Sequence, residues 1–205
     1  MQQMPIKADH LGERIDDLRA KLSAQSPSAL ANRCGAEYDA KTTSLRFLFF
    51  EHPVIVDFPD LVPVDIKTGM SLPVVTQALL LYYLISADET PLIRRWISFD
   101  SLPDGRFYRQ AFQGYTGGEL VRHFGNDLTA FMAAACKLDG VKMSVGDAAF
   151  AFHALPRFML AVVYYLGDDD FPPSCQILFD ASAGHYLPTD VCAILGSMLT
   201  RMLLT

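Results

Sequence analysis

Three apolar runs in the last third of the chain constrain its fold more than any other feature: Ala148 to Ala154, Phe158 to Leu166 and Ser174 to Asp180. Each is rich in aromatic or β-branched residues and free of internal breakers, the pattern of a strand. Only Leu155-Pro156-Arg157 separates the first two. Gly167-Asp168-Asp169-Asp170 with Pro172-Pro173 separates the second from the third. Connections this short leave no room for a crossover helix, so the strands pair antiparallel.

Helical periodicity surrounds this block. Residues 8–23 place Leu11, Ile15, Leu18 and Leu22 on one stripe, with polar residues on the other face. Ser26-Pro27 opens a short second helix that Gly35 closes. Leu72 to Ile85 is the longest apolar stretch, interrupted by Gln77, and Ser71 with Pro73 marks its start. It falls short of the roughly 20 residues a membrane helix needs, so it reads as a buried helix. Ser44 to Phe50, Val54 to Asp57 and Arg94 to Phe99 read as further strands, with a loop over residues 58–69. Thr116-Gly117-Gly118-Glu119 forms a capping-box pattern, Asp127 begins another helix that stops at Gly140, and Asp190 to Leu203 forms the last. The expectation is one α+β domain over residues 1–205. Residues 1–35 form a helical N-terminal segment, and residues 36–205 an antiparallel sheet covered mainly on one face by helices.

Composition narrows function by exclusion. With 51% hydrophobic residues, the chain can fill a core. A net charge of −6 disfavours nucleic acid as a partner. No signal-type run opens the sequence, and a cytoplasmic location is expected. Cys34, Cys136, Cys175 and Cys192 stand singly, without the spacing of a zinc knuckle or an intrinsic iron–sulfur cluster. They read as small buried residues of a reducing compartment. Asp168-Asp169-Asp170 lacks the alternating ligands of a calcium loop and reads as a solvated turn.

Two segments hold candidate chemistry. In Asp180-Ala-Ser-Ala-Gly-His185-Tyr186-Leu-Pro-Thr-Asp190, small residues surround an imidazole at the junction of a strand and a helix. Such a histidine ligates a metal when a carboxylate orients its other nitrogen, and otherwise fixes the loop by hydrogen bonds. His10, His52, His123 and His153 show no metal-ligand spacing. Residues 91–125 set Arg94, Arg95, Arg106, Arg109 and Arg122 against Asp100, Asp104 and Glu119, with Trp96, Phe107, Tyr108, Phe112 and Tyr115 interleaved. Arginines among aromatics suit a flat conjugated ligand with anionic or amide edges; the plainer reading is the outer face of strands. Gly114, Gly117 and Gly118 lead into a helix start that suits a phosphate or is simply capped.

Phe152-His-Ala-Leu-Pro-Arg157, Gly167-Asp-Asp-Asp-Phe-Pro-Pro-Ser174, Ile177-Leu-Phe-Asp180 and His185-Tyr-Leu-Pro-Thr-Asp190 resemble the prokaryotic family called domain of unknown function 3786. Trp96-Ile-Ser-Phe99, Leu102-Pro103, Phe107-Tyr108 and Ala111-Phe112-Gln-Gly114 fit it as well, from about residue 30 to the end. The resemblance implies an anaerobic context, often with a small four-cysteine iron–sulfur domain that this chain lacks. It carries over no catalytic residues.

Together these point to a module that binds or delivers a corrinoid such as cobalamin, or a related tetrapyrrole with haem ranked behind, in anaerobic one-carbon metabolism. His185 would be the axial ligand, Tyr186, Trp96 and Tyr108 would flank the macrocycle, and Arg106 and Arg109 would meet its rim. The first alternative is a ligand-free assembly partner of iron–sulfur or methyltransferase proteins. The second is a small-metabolite enzyme using His185 with Asp180 or Asp190.

Overall fold

The computed structural model describes residues 8–205, with side chains from Arg14 onward. Its α+β class is as the patterns predict, but the strands divide between two antiparallel sheets in two compact units.

The first unit spans residues up to Thr90 and takes in His185–Leu187 from late in the chain. It contains α1 (Ala8–Ser23), α2 (Pro27–Cys34), β1 (Glu37–Asp39), β2 (Ser44–Phe49), β3 (His52–Asp57), β4 (Pro63–Asp65) and α3 (Val74–Ser86), with the strands in sequence order across the sheet. Ile15, Leu18 and Leu22 of the α1 stripe are buried; the side chains of His10 and Leu11 lie outside the described residues. Gly35 closes α2 at φ 76°, a left-handed position where a Cβ is unfavourable, and its N–H reaches Ala31 O. Leu79, Leu80, Leu81, Tyr83 and Leu84 are all buried, and only Tyr82 of these middle turns is half-buried, so α3 lacks the exposed polar face of a surface helix there. Gln77, the one break in that apolar run, accepts from Arg19 at 2.9 Å and donates to Leu72 O at 2.7 Å. Its amide is satisfied, so its burial carries no penalty for an unmade bond. Ser71 does not cap α3 as expected. It bridges back to Val64, and the helix starts after Pro73.

The second unit holds β5 (Trp96–Ser98), α4 (Gly105–Tyr115), α5 (Gly117–Phe124), α6 (Leu128–Lys137), β6 (Val141–Met143), β7 (Ala148–Leu155), β8 (Phe158–Tyr165), β9 (Ser174–Asp180) and α7 (Thr189–Leu203). Its sheet runs β5-β9-β8-β7-β6. The hairpins expected in the last third are present, with Leu155 facing Phe158 and Tyr165 facing Ser174. Phe131 of α6 packs on Phe150 and Tyr164, with ring centroids 5.9 and 4.9 Å away. Phe112 of α4 stacks on Phe99 at 4.1 Å and meets Phe179 at 5.9 Å. The core is thus an aromatic seam between helices and sheet.

Helix α4 falls where strand faces were the plainer reading. The Thr116–Glu119 capping box also does not form. Thr116 gives its hydroxyl to Phe112 O at 2.5 Å, closing α4, and Glu119 pairs with Arg122 at 2.7 Å. Two helices meet at this threonine, and its hydroxyl serves the first.

Candidate functional site

His185 and Tyr186 act in different ways although they are neighbours. Tyr186 is buried in the first unit, its ring 5.7 Å from that of Tyr83 and its hydroxyl donating to Thr90 O. Tyr83 in turn donates to Cys34 O at 2.6 Å. Tyr186 therefore anchors its segment by packing.

His185 is turned outward, its side chain 48% exposed. Its Nδ1 lies 2.7 Å from Asp88 Oδ2 and 3.2 Å from Thr90 Oγ1. The backbone N–H of Thr90 donates to Asp88 Oδ1 at 3.0 Å. The hydrogen bond from His185, followed by one from the Thr90 side chain, holds the Asp88 carboxyl down at about 2 from an ordinary 3.8. An ionised carboxylate can only accept, so above that pH Nδ1 carries the proton. When the ring is neutral its lone pair is then on Nε2, the nitrogen without a described protein partner. The carboxylate that orients His185 is Asp88.

Asp180 has another task. Its carboxylate is 1% exposed and accepts from Ile93 N at 3.0 Å, Arg94 N at 2.6 Å, Ser182 N at 2.9 Å and Ser182 Oγ at 2.6 Å. Burial alone would raise its pKa; the Ser182, Ile93 and Arg94 donors outweigh that and lower it. These bonds tie the strand end to the backbone before β5, with Arg94 held at φ 57°. Asp190 is exposed in the first turn of α7.

The arginine–aromatic segment lies in the second unit. Trp96 faces Asp180 across β5 and β9 and is half-buried. Arg106, Phe107, Tyr108 and Arg109 lie on α4, of which only Gly105 and Phe112 are buried. Phe107 is 83% exposed. An open cleft of about 460 Å³ lies at the start of α4, lined by residues 100–104, Arg106 and Phe107. Gly117, the first residue of α5, serves packing: a Cβ there would lie 2.0 Å from Cys175 O, too close for any side chain, whereas a Cβ on Gly114 in α4 would meet nothing within 4 Å. His52, His123 and His153 are exposed and separate. Among the described residues no three His, Cys, Asp or Glu side chains group to hold a metal ion, and no helix is long and apolar enough to cross a membrane.

Nothing local in the sequence marks Asp88 as the partner of His185, since 97 positions separate them. Asp88-Glu-Thr90 is an ordinary turn signal, and only the fold shows its use. No curated protein and no solved structure matches the chain. A family model matches residues 26–202, nearly the whole chain, and that match identifies it as a member of the family described as domain of unknown function (DUF3786).

Proposed function

We propose that the protein binds a metal-containing macrocycle, a corrinoid in the first instance, through Nε2 of His185. The observation that carries this reading is the 2.7 Å contact between His185 Nδ1 and Asp88. A carboxylate on one ring nitrogen fixes the tautomer and raises the basicity of the other, the arrangement that metal-ligating histidines use. One imidazole is too few donors for a free metal ion. It suffices for a metal that arrives already held by a macrocycle, and this is the reason for proposing a corrinoid or haem ahead of a bare cation. The bound group would supply the one-carbon or redox chemistry. This chain's residues hold the imidazole, and Thr90 and Tyr186 fix the two segments that bear the pair. Trp96, Tyr108, Arg106 and Arg109 belong to the second unit, and ligation by His185 stands without them. Corrinoid and iron–sulfur proteins of anaerobic one-carbon metabolism fit this reading as donors or recipients of the cofactor.

The test is a visible-absorption titration of the full chain with hydroxocobalamin, and with haem for comparison. Ligation by His185 shifts the band positions in the wild type. The shift disappears in His185→Ala, and affinity falls by about 10- to 100-fold in Asp88→Asn. Spectra and affinity identical in wild type and His185→Ala overturn the proposal.

The same pair supports a second reading, general acid–base chemistry on a small metabolite, with Asp88 in the place first given to Asp180 or Asp190. Its half-exposed position favours the ligand role.

A further inference from the structure

Two surfaces of the second unit are complementary in charge and alike in carrying an exposed aromatic. The first is α4. Phe107, Tyr108 and Tyr115 are 83%, 53% and 40% exposed, and Arg106 and Arg109 beside them are exposed too. The helix contains no carboxylate, in a chain of net charge −6. Neither arginine has an ion-pair partner among the described residues. Asp100 lies near enough to be affected: its pKa is lowered first by a hydrogen bond from Ser98 and then, against desolvation, by Arg109 and Arg106. The helix is also firmly seated. Phe112 stacks on Phe99, and a Cβ on Gly105 would lie 2.0 Å from Phe99 O, so the backbone lies against its support. Rigid exposed aromatics flanked by arginines are the residues that dominate binding energy at interfaces.

The second surface is the tip of the β8–β9 hairpin. Asp168 Oδ1 accepts from Asp170 N at 2.9 Å and Phe171 N at 2.7 Å, and Asp168 N donates to Phe171 O at 2.8 Å. Asn126 brackets the base of the tip, accepting from Gly167 N at 2.8 Å. The carboxylate of Asp168 is used within the turn. Asp169 and Asp170 remain exposed, beside a phenylalanine that is 71% exposed. This tip is a preformed acidic knob with an apolar end. Ordering it on binding requires little further loss of freedom.

We infer that α4 of one copy of the chain receives the Asp169-Asp170-Phe171 tip of a second copy. Phe171 packs against Phe107, while Arg106 and Arg109 meet the two carboxylates. Because tip and helix are different surfaces, the contact is heterologous.

Sedimentation velocity of the full chain over a concentration series at low salt tests this. The wild type self-associates, and added salt weakens the association. Arg106→Glu/Arg109→Glu and Asp169→Lys/Asp170→Lys each raise the dissociation constant on the order of tenfold or more. An equimolar mixture of the two variants associates again, because one retains the knob and the other the helix. Circular dichroism confirms that both variants are folded. A wild type monomeric throughout overturns the inference, as do variants that associate undiminished or a mixture of folded variants that stays monomeric.

Discussion

Asp88 Oδ2 lies 2.7 Å from Nδ1 of His185. The pair sets the ionisation of the carboxylate and thereby the tautomer of the ring. Because the folded pKa of Asp88 is depressed, the pair's contribution to stability is present above the unfolded value of 3.8 and is lost as pH falls through about 2. Carbon-13 NMR titration of the aspartate carboxyls should give a midpoint near 2 for Asp88. In His185→Ala that midpoint moves up toward 3.8. A midpoint unaffected by the substitution contradicts the pairing.

Tyr186 combines a buried ring with a hydroxyl bonded to Thr90 O. Tyr186→Phe removes only the hydrogen bond and leaves a half-buried carbonyl to find another donor, a loss of about 1–2 kcal/mol. Tyr186→Ala also opens a cavity beside Tyr83, a loss of about 3–5 kcal/mol. Urea unfolding of the two variants separates these contributions.

Asp180 is a buried acceptor for four donors. Asp180→Asn sets an amide NH₂ against some of those N–H groups, and about 2–3 kcal/mol of stability should be lost. The folded pKa of Asp180 is also lowered, so acid removes its contribution in the same direction as for Asp88. A variant as stable as wild type at neutral pH would show that the strand end does not depend on this carboxylate.

Gly196 lies under the Phe112 ring: a Cβ there would come within 2.9 Å of it. The ring is stacked on Phe99 and cannot swing away freely. Gly196→Val should therefore destabilise the protein by about 1–3 kcal/mol by overpacking. Thermal unfolding checks this, with the expected fall in midpoint.

Of the four cysteines, Cys136 is exposed while Cys34, Cys175 and Cys192 are buried. Burial pushes the Cys175 and Cys192 thiols up, far from the reactive thiolate. A chromogenic disulfide reagent should titrate one thiol in the native protein and all four in denaturant. Rapid reaction of more than one native thiol contradicts the placement.

The three strands of the last third are legible because their patterns are long and their connections short. Helix α1 and the buried α3 are legible because their periodicity, or their lack of a polar face, spans several turns. β1 and β6 are not, since each is a three-residue edge strand with no alternation to detect. Helix α4 is hidden for another reason. Pro103-Asp104-Gly105 reads as a stop, Gly114 reads as another, and the aromatics between them suit a strand. The spacing of Tyr108, Phe112 and Tyr115 is the signal that reveals it. His185 stands out in sequence because small residues surround it, but its carboxylate arrives from a distant turn that no local rule selects.

The inclusion of His185–Leu187 in the first unit has a consequence for synthesis. Tyr83 and Thr90 emerge from the ribosome long before the ring that covers one and the hydroxyl that bonds the other. With 95 positions between Thr90 and His185, the interval is about 5–20 s at ordinary elongation rates. During that time the nascent N-terminal half leaves the side of Tyr83 that Tyr186 later covers open to water.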